Sequence, residues 1–230
     1  MEGISVLKLI QLELKKNGIG SNITGAFIAI AIMLTFVTLV NFEEPLVSFN
    51  DLFSLTNVFS TVTFIIFASV LLSKLVIDEF KNKTITVLFM YPIQRKKVLT
   101  AKLIIVVTFT FIFCLLAKII IVLGFYFINQ YTHFIQEELT LEMLRNHFFK
   151  GVTNSLTASF ISLVPLYFGM RKYSTPATIV SAIIISSLLN SQFGTEFTLS
   201  SIIYIPLVLS LLGVFISFIS IRNIETKDIV

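Results

Sequence analysis

The sequence predicts an all-α integral membrane protein with six transmembrane helices, and three observations lead to this fold class. Hydrophobic residues make up 56% of the 230 residues and charged residues only 13%, whereas soluble domains carry about 25% charge. The apolar residues fall in long runs, and Lys and Arg gather in alternate connections between those runs. Too little polar surface remains for a water-soluble globule, so residues 1–230 are predicted to form a single transmembrane domain in the cell membrane.

Apolar runs long enough to cross a bilayer define the six predicted spans. A membrane-spanning helix needs about 20 mostly apolar residues. The qualifying runs are residues 19–40, 55–77, 98–128, 152–170, 174–191 and 199–221. The third run is long enough to tilt or to extend beyond the bilayer. The fifth is short and rich in serine.

The distribution of basic residues predicts the orientation of the spans. One set of connections holds most of them: Lys8, Lys15, Lys16, Lys81, Lys83, Arg95, Lys96, Lys97, Lys102, Arg171, Lys172, Arg222 and Lys227. The opposite connections hold mainly acids: Glu43, Glu44, Asp51, Glu137, Glu138, Glu142 and Glu196, with Arg145 and Lys150. Basic loops stay in the cytoplasm, so both termini are predicted to be cytoplasmic. The same clustering explains the net charge of +4 without a nucleic-acid partner.

Two amphipathic segments lie outside the predicted spans. Residues 1–18 place polar side chains every three or four positions, which predicts an interfacial helix on the cytoplasmic membrane surface. Residues 129–151 form a long outer loop in which Leu141, Leu144 and Phe148 share one helical face. This pattern predicts a short amphipathic helix on the outer surface or capping the bundle.

The sequence lacks the residue patterns of common membrane enzymes, so no catalytic residue, resident cofactor or metal is predicted. Its two histidines, His133 and His147, lie in the predicted outer loop. A zinc site with Glu137, Glu138 or Glu142 is one interpretation, and two solvated loop histidines are the simpler one. The glycines do not form a G-x-x-x-x-G-K-[ST] phosphate loop. Any use of ATP would therefore depend on another polypeptide.

Two lysines fall within the predicted spans, where a charge at mid-bilayer costs about 2.5–3.5 kcal/mol on insertion scales. Lys74 lies near the cytoplasmic end of the second span and is predicted to extend to the cytoplasm. Lys118 lies within the third span. Its side chain either extends to the outer leaflet or lines a pathway, where it would attract carboxylate or phosphate groups.

Residues 78–97 form the connection with the most distinctive sequence. A charged exit from the second span is followed by a predicted short helix with Thr84 as its cap and Ile85, Leu88 and Phe89 on one face. Pro92 ends this helix because proline cannot continue the hydrogen-bond ladder. A basic run beginning at Arg95 follows. An apolar surface between charges at the cytoplasmic side is suited to docking a soluble partner.

This segment resembles the connection after the second span in type-2 ABC exporter permeases. The resemblance is carried by Glu79, Phe80, Asn82, Thr84, Leu88, Pro92, Ile93, Arg95, Lys96, Lys97 and Lys102. It is similar in particular to the small six-span subunits of bacitracin, lantibiotic and amphipathic-peptide exporters of Gram-positive bacteria. The detailed match covers residues 79–102, and the six-span plan agrees along the whole chain.

The resemblance implies that residues 78–97 form a cytoplasmic coupling helix seated in a separate P-loop ATPase subunit. The implied contacts are Glu79, Asn82, Thr84, Ile85, Leu88, Phe89, Pro92 and Arg95, with Glu79 and Arg95 touching the ATPase or bracing the helix ends. Two permeases, identical or homologous, would pair in membrane lipid around a shared pathway. The expected function is export of an amphipathic peptide, antibiotic or lipid-like substrate. A non-transporting scaffold, immunity protein or regulator is the alternative, and a secondary transporter is a third.

Overall fold

The structure, a computed structural model, describes residues 6–16, 19–43, 46–82, 95–132, 134–135, 137, 139–193, 197–198 and 204–222. These residues are almost entirely helical, with one short antiparallel ribbon. The helices are α1 (Val6–Lys16), α2 (Ile19–Glu43), α3 (Phe49–Leu72), α4 (Asp78–Lys81), α5 (Arg95–Thr132), α6 (Leu141–Ile161), α7 (Pro165–Lys172), α8 (Thr175–Asn190) and α9 (Tyr204–Arg222). The ribbon pairs β1 (Gln192–Phe193) with β2 (Phe197–Thr198).

Three of these helical stretches are long and apolar enough to cross a membrane: Gly20–Glu43, Phe49–Lys81 and Lys96–Thr132. Two shorter apolar helices, Thr175–Asn190 and Tyr204–Ser220, accompany them. Helix α6 differs because polar and charged residues such as Arg145, His147 and Lys150 occupy its first half.

The second predicted span is longer in the structure than the run of residues 55–77. Helix α3 begins at Phe49 because Ser48 and Asp51 form a capping box, each side chain accepting from the other's backbone amide. At its other end the chain continues through a π-helical turn, Ser73–Ile77, directly into α4. The resulting continuous helix therefore extends beyond the predicted span at both ends, as far as Lys81.

The fourth predicted span, residues 152–170, is wrong as a single helix. Helix α6 already begins at Leu141, capped by Thr140, and runs through Gly151 to Ile161. Residues 162–164 form a turn before α7 starts at Pro165. The proline ring would clash with the carbonyl of Ile161 in a continuous helix, which explains the break. The predicted outer helix and the first part of the predicted span are thus one element.

The main apolar core lies between α2, α3 and α5. Phe67 of α3 stacks with Phe109 of α5, with ring centroids 5.6 Å apart, and Phe64 of α3 stacks with Phe113 of α5 at 6.4 Å. A second cluster joins α3, α6 and α8 through Ile65, Ala158, Ile161, Ala182 and Leu189. The core therefore fixes α3 against both groups of helices.

One end of the bundle, here called the basic end, is formed by α1, residues 73–82, the start of α5 and residues 169–175. Leu9 of α1 is buried there against Val98 and Ala101 of α5. The exposed residues Lys74, Lys81, Arg171 and Lys172 belong to this end. The N-terminal ends of α3 and α6 lie at the opposite end, where the Phe49 amide donates to the Glu137 carboxylate over 3.2 Å.

Candidate functional site

A buried amine connects three elements at the basic end. Lys102, on the second turn of α5, is only 1% exposed. Its Nζ donates to the carbonyl of Leu75 in the π-helical turn over 2.8 Å, and it also forms an ion pair with the Glu79 carboxylate. Glu13 Oε1 of α1 lies 3.7 Å from the same nitrogen. We call Glu13, Glu79 and Lys102 the ion triad.

In the ion triad the carboxylates of Glu13 and Glu79 compensate the buried positive charge of Lys102. Breaking a buried ion pair by removing one partner costs about 3–5 kcal/mol because it leaves an uncompensated charge. The three residues come from α1, α4 and α5, which are distant in sequence. The triad therefore fixes the start of the connection at residues 82–95 relative to both α1 and α5.

Further contacts hold α4 from the side of α7 and α8. The Thr175 hydroxyl donates to Asp78 Oδ1 over 2.8 Å, and Phe80 stacks on Tyr173 with ring centroids 5.9 Å apart. Tyr173 ends α7 in the left-handed conformation at φ 45°, which is uncommon for a residue with a side chain. Asp78, Glu79 and Phe80 are thus all engaged with other elements.

The residues implied in coupling divide into two groups. Glu79 lies in α4, and Arg95 begins α5. Asn82 ends α4, and its backbone N–H donates to the Asp78 carbonyl over 2.9 Å. The structure brings Glu79 into the ion triad. Thr84, Ile85, Leu88, Phe89 and Pro92 lie outside the described residues.

Sequence reasoning missed the part played by two members of the ion triad. Lys102 was placed among the basic residues that set topology and among those that carry the resemblance, with no partner assigned to it, and Glu13 was given no role. A signal was available for Lys102, because it lies inside the predicted third span at residues 98–128, where an ionisable residue needs a partner. Glu13 also gave a signal, since it lies four residues after Leu9 and three after Ile10, on the apolar face of α1.

The other intramembrane candidate, Lys118, is buried in the middle of α5 and 2% exposed. Its Nζ lies 3.4 Å from the carbonyl oxygen of Gly151 on α6. The side chain also lines an apolar cavity of about 220 Å³ between α5 and α6. The amine therefore contacts a neighbouring helix inside the described bundle.

The interpretation of His147 as a solvated loop side chain is wrong. It lies on α6 and stacks on Phe53 of α3, with ring centroids 4.0 Å apart and planes inclined by 12°. Burial, together with the positive charges of Lys118 and Lys150, lowers the pKa of His147 to about 4. The ring is consequently neutral at neutral pH. His133 lies outside the described residues.

A long, mostly apolar helical bundle with its basic residues gathered at one end defines the class as a helical membrane protein. The family model described as ABC-2 family transporter protein matches residues 9–188, and the chain belongs to this family. It is therefore a membrane component of an ABC-2 transporter. Such permeases have no ATPase activity of their own and pair with ATPase subunits in general.

One curated relative agrees over almost the whole chain. The chain is 44% identical over 228 residues to the uncharacterized protein YcbO of Bacillus subtilis (strain 168). The similarity covers 96% of this chain and 100% of the relative. No solved structure matches.

Proposed function

We propose that this chain is the six-span permease subunit of an ATP-driven exporter, with both termini in the cytoplasm. The observation that carries the proposal is membership of the ABC-2 transporter family across residues 9–188. The cargo would be an amphipathic peptide, antibiotic or lipid-like molecule. Two permeases, identical or homologous, would share the pathway, since one small bundle is too narrow to enclose a wide one.

In this proposal the basic end faces the cytoplasm and residues 78–97 dock on a P-loop ATPase subunit. ATP binding would move the ATPases together and push on this segment. The ion triad supports such a role, because Lys102 joins the base of the segment to the 38-residue helix α5. Glu79 would then brace the segment rather than touch the ATPase, and α5 would carry the displacement across the membrane.

Helix α1 fits the same proposal as an interfacial helix. Leu9 and Glu13 face α5, whereas Leu7, Leu12 and Leu14 are exposed on other sides of α1. In the cytoplasmic membrane interface the exposed leucines would contact lipid acyl chains and Lys8 and Lys15 the headgroups. Because Glu13 belongs to the ion triad, α1 would hold the base of the coupling segment at the membrane surface.

Co-purification tests the proposal directly. We expect the tagged chain, extracted in mild detergent, to purify with the ATPase encoded beside it. We also expect it to change the rate at which that ATPase hydrolyses ATP. Deleting residues 83–92 should abolish that change while membrane insertion remains normal. The matched control deletes residues 223–230, beyond α9. A chain that purifies alone, with no effect of residues 83–92 on any neighbouring ATPase, would instead favour a scaffold, immunity or regulatory protein.

A further inference from the structure

A polar cleft of about 410 Å³ opens between α3 and α6, at the end of the bundle opposite the basic end. Helix α3 contributes residues spaced by three or four positions, and α6 contributes a matching face. The lining residues are Asn50, Phe53, Ser54, Asn57, Met143, Asn146, His147, Lys150, Gly151 and Asn154. Polar and ionisable residues in the helices of a membrane protein usually face the bundle interior or a water-filled cavity, where they mark substrate and ion pathways.

The cleft contains polar groups that the described chain leaves without partners. Asn57 Oδ1 and His147 Nε2 are buried and have no hydrogen-bond partner among the described residues. A buried polar atom of this kind costs about 1–3 kcal/mol unless a ligand or water satisfies it. Four carboxamides and one imidazole thus present hydrogen-bonding groups to the same space.

The electrostatics of the cleft favour an anion. Lys150 contributes an ammonium group, and none of the ten described lining residues carries a carboxylate. Burial is the main cause of the lowered pKa of His147, and the positive charges of Lys118 and Lys150 contribute to it. Carboxamide and ammonium N–H donors bind phosphate and carboxylate oxygens strongly.

An apolar cavity adjoins the polar cleft and shares His147 and Gly151 with it. Its remaining walls are aliphatic and aromatic apart from Lys118: Leu115, Lys118, Ile119, Val122, Leu123, Leu144 and Phe148. Gly151 lines both spaces, and a Cβ there would make only ordinary van der Waals contact with the Lys118 side chain at 3.6 Å. A molecule with one charged end and one apolar end would therefore find both of its parts matched.

We propose that the polar cleft binds the phosphate or carboxylate headgroup of an amphipathic molecule whose apolar chain occupies the adjoining cavity. This inference rests on the proposed export function and names the chemical class of its cargo. Lys150 and the asparagine N–H groups of the cleft donate to the headgroup oxygens, and His147 Nε2 donates in its protonated tautomer. Asn57 Oδ1 accepts from a protonated headgroup oxygen or from water. Leu115, Ile119 and Leu144 contact the apolar chain.

Calorimetric titration of the purified chain, in a neutral maltoside detergent and without any ATPase, tests this site. The probes are dodecyl phosphate, dodecanoate, dodecyltrimethylammonium and inorganic phosphate. We expect saturable binding of dodecyl phosphate, dodecanoate or both, and at least tenfold weaker binding of the other two. Tenfold in the dissociation constant corresponds to about 1.4 kcal/mol. Comparison of the two anionic probes distinguishes a phosphate from a carboxylate headgroup.

Variants locate the binding in the cleft. Lys150→Gln should weaken binding of the anionic probe about tenfold, Lys150→Arg should retain it, and the matched control Arg145→Gln on the same helix should leave it unchanged. Equal binding of the cationic probe, equal binding of inorganic phosphate, or full affinity in Lys150→Gln would each overturn the proposal. Because no ATPase is present, failure here is distinguishable from failure of the permease to form its complex.

Discussion

At the scale of single residues, Lys102 determines whether the base of residues 82–95 is held in place. Replacing it by Met removes an amine that contacts both Glu13 and Glu79, whose carboxylates have little solvent access. We expect Lys102→Met to destabilise the fold by about 3–5 kcal/mol, the cost of breaking a buried ion pair. The measurement is the thermal unfolding midpoint of the purified protein in detergent.

The control for this prediction is Lys74→Met, because Lys74 is exposed in the neighbouring π-helical turn. It should leave the unfolding midpoint unchanged. Glu79→Lys, which places two amines together, should be destabilising as well, and combining it with Lys102→Glu should recover part of the loss. Equal midpoints for Lys102→Met and Lys74→Met would show that the ion triad contributes little.

Single residues of the candidate site could be identified from the sequence more readily than the contacts between them. Glu79 could be found because it belongs to a recognisable local pattern at residues 79–102. The pairing of Glu79 with Lys102 could not be predicted, because it joins positions 23 residues apart and depends on how α4 meets α5. The burial of His147 against Phe53 was missed for the same reason, since hydropathy assigned residues 129–151 to a loop.

At the scale of helices, the most uniform apolar runs gave the best predictions. The runs 19–40 and 174–191 end within a few residues of α2 (Ile19–Glu43) and α8 (Thr175–Asn190). The prediction failed at α6 and α7, where hydropathy changes gradually. There the capping residue Thr140 and the ring of Pro165 determine the helix ends. Hydropathy averaged over a run of residues is not sensitive to either of these local effects.

Packing between helices leads to a second prediction, at Gly213 of α9. A Cβ added there would lie 2.1 Å from the carbonyl oxygen of Phe160 on α6. Because that oxygen is backbone, it cannot yield as a flexible side chain could. We expect Gly213→Ala to lower the free energy of unfolding by about 1–3 kcal/mol, the usual range for overpacking, and to separate α9 from α6.

Gly20→Ala is the matched control for this substitution, since nothing lies within 4 Å of a Cβ at that position. Alanine is also the better helix former, so this variant should be neutral or slightly stabilising. Thermal unfolding of the two variants, measured in parallel with the parent protein, makes the comparison. An unchanged midpoint for Gly213→Ala would mean that α9 moves away from Phe160 at little cost.

At the scale of the whole molecule, long apolar runs alternate with charged connections along the chain, and this alternation can be recognised from the sequence alone. The apolar runs predict six spans, and the alternation of basic and acidic connections predicts their orientation. Among the described residues the structure has three helices with the length and composition to cross a membrane, with shorter apolar helices beside them. The polar cleft illustrates what a sequence cannot show. Its two faces, on α3 and α6, are separated by more than 80 residues and become one site only in the folded bundle.

The proposed topology makes the last prediction, which introduced cysteines can test. Cys114, the single cysteine of the chain, is buried, so it should contribute little background to labelling by a membrane-impermeant maleimide. In the six-span arrangement the exposed positions Gln11, Lys81 and Arg171 lie in the cytoplasm, whereas Asn50 and Asn146 face the outside. We therefore expect Asn50→Cys and Asn146→Cys to be labelled in intact cells.

The three cytoplasmic variants, Gln11→Cys, Lys81→Cys and Arg171→Cys, should be labelled only after the membrane is permeabilised. This difference follows from the basic residues at that end, which the positive-inside tendency retains in the cytoplasm. Labelling of Gln11→Cys in intact cells would contradict a cytoplasmic N-terminus. Labelling of Gln11→Cys and Arg171→Cys on opposite sides would contradict an even number of spans between them and the placement of both residues at the basic end.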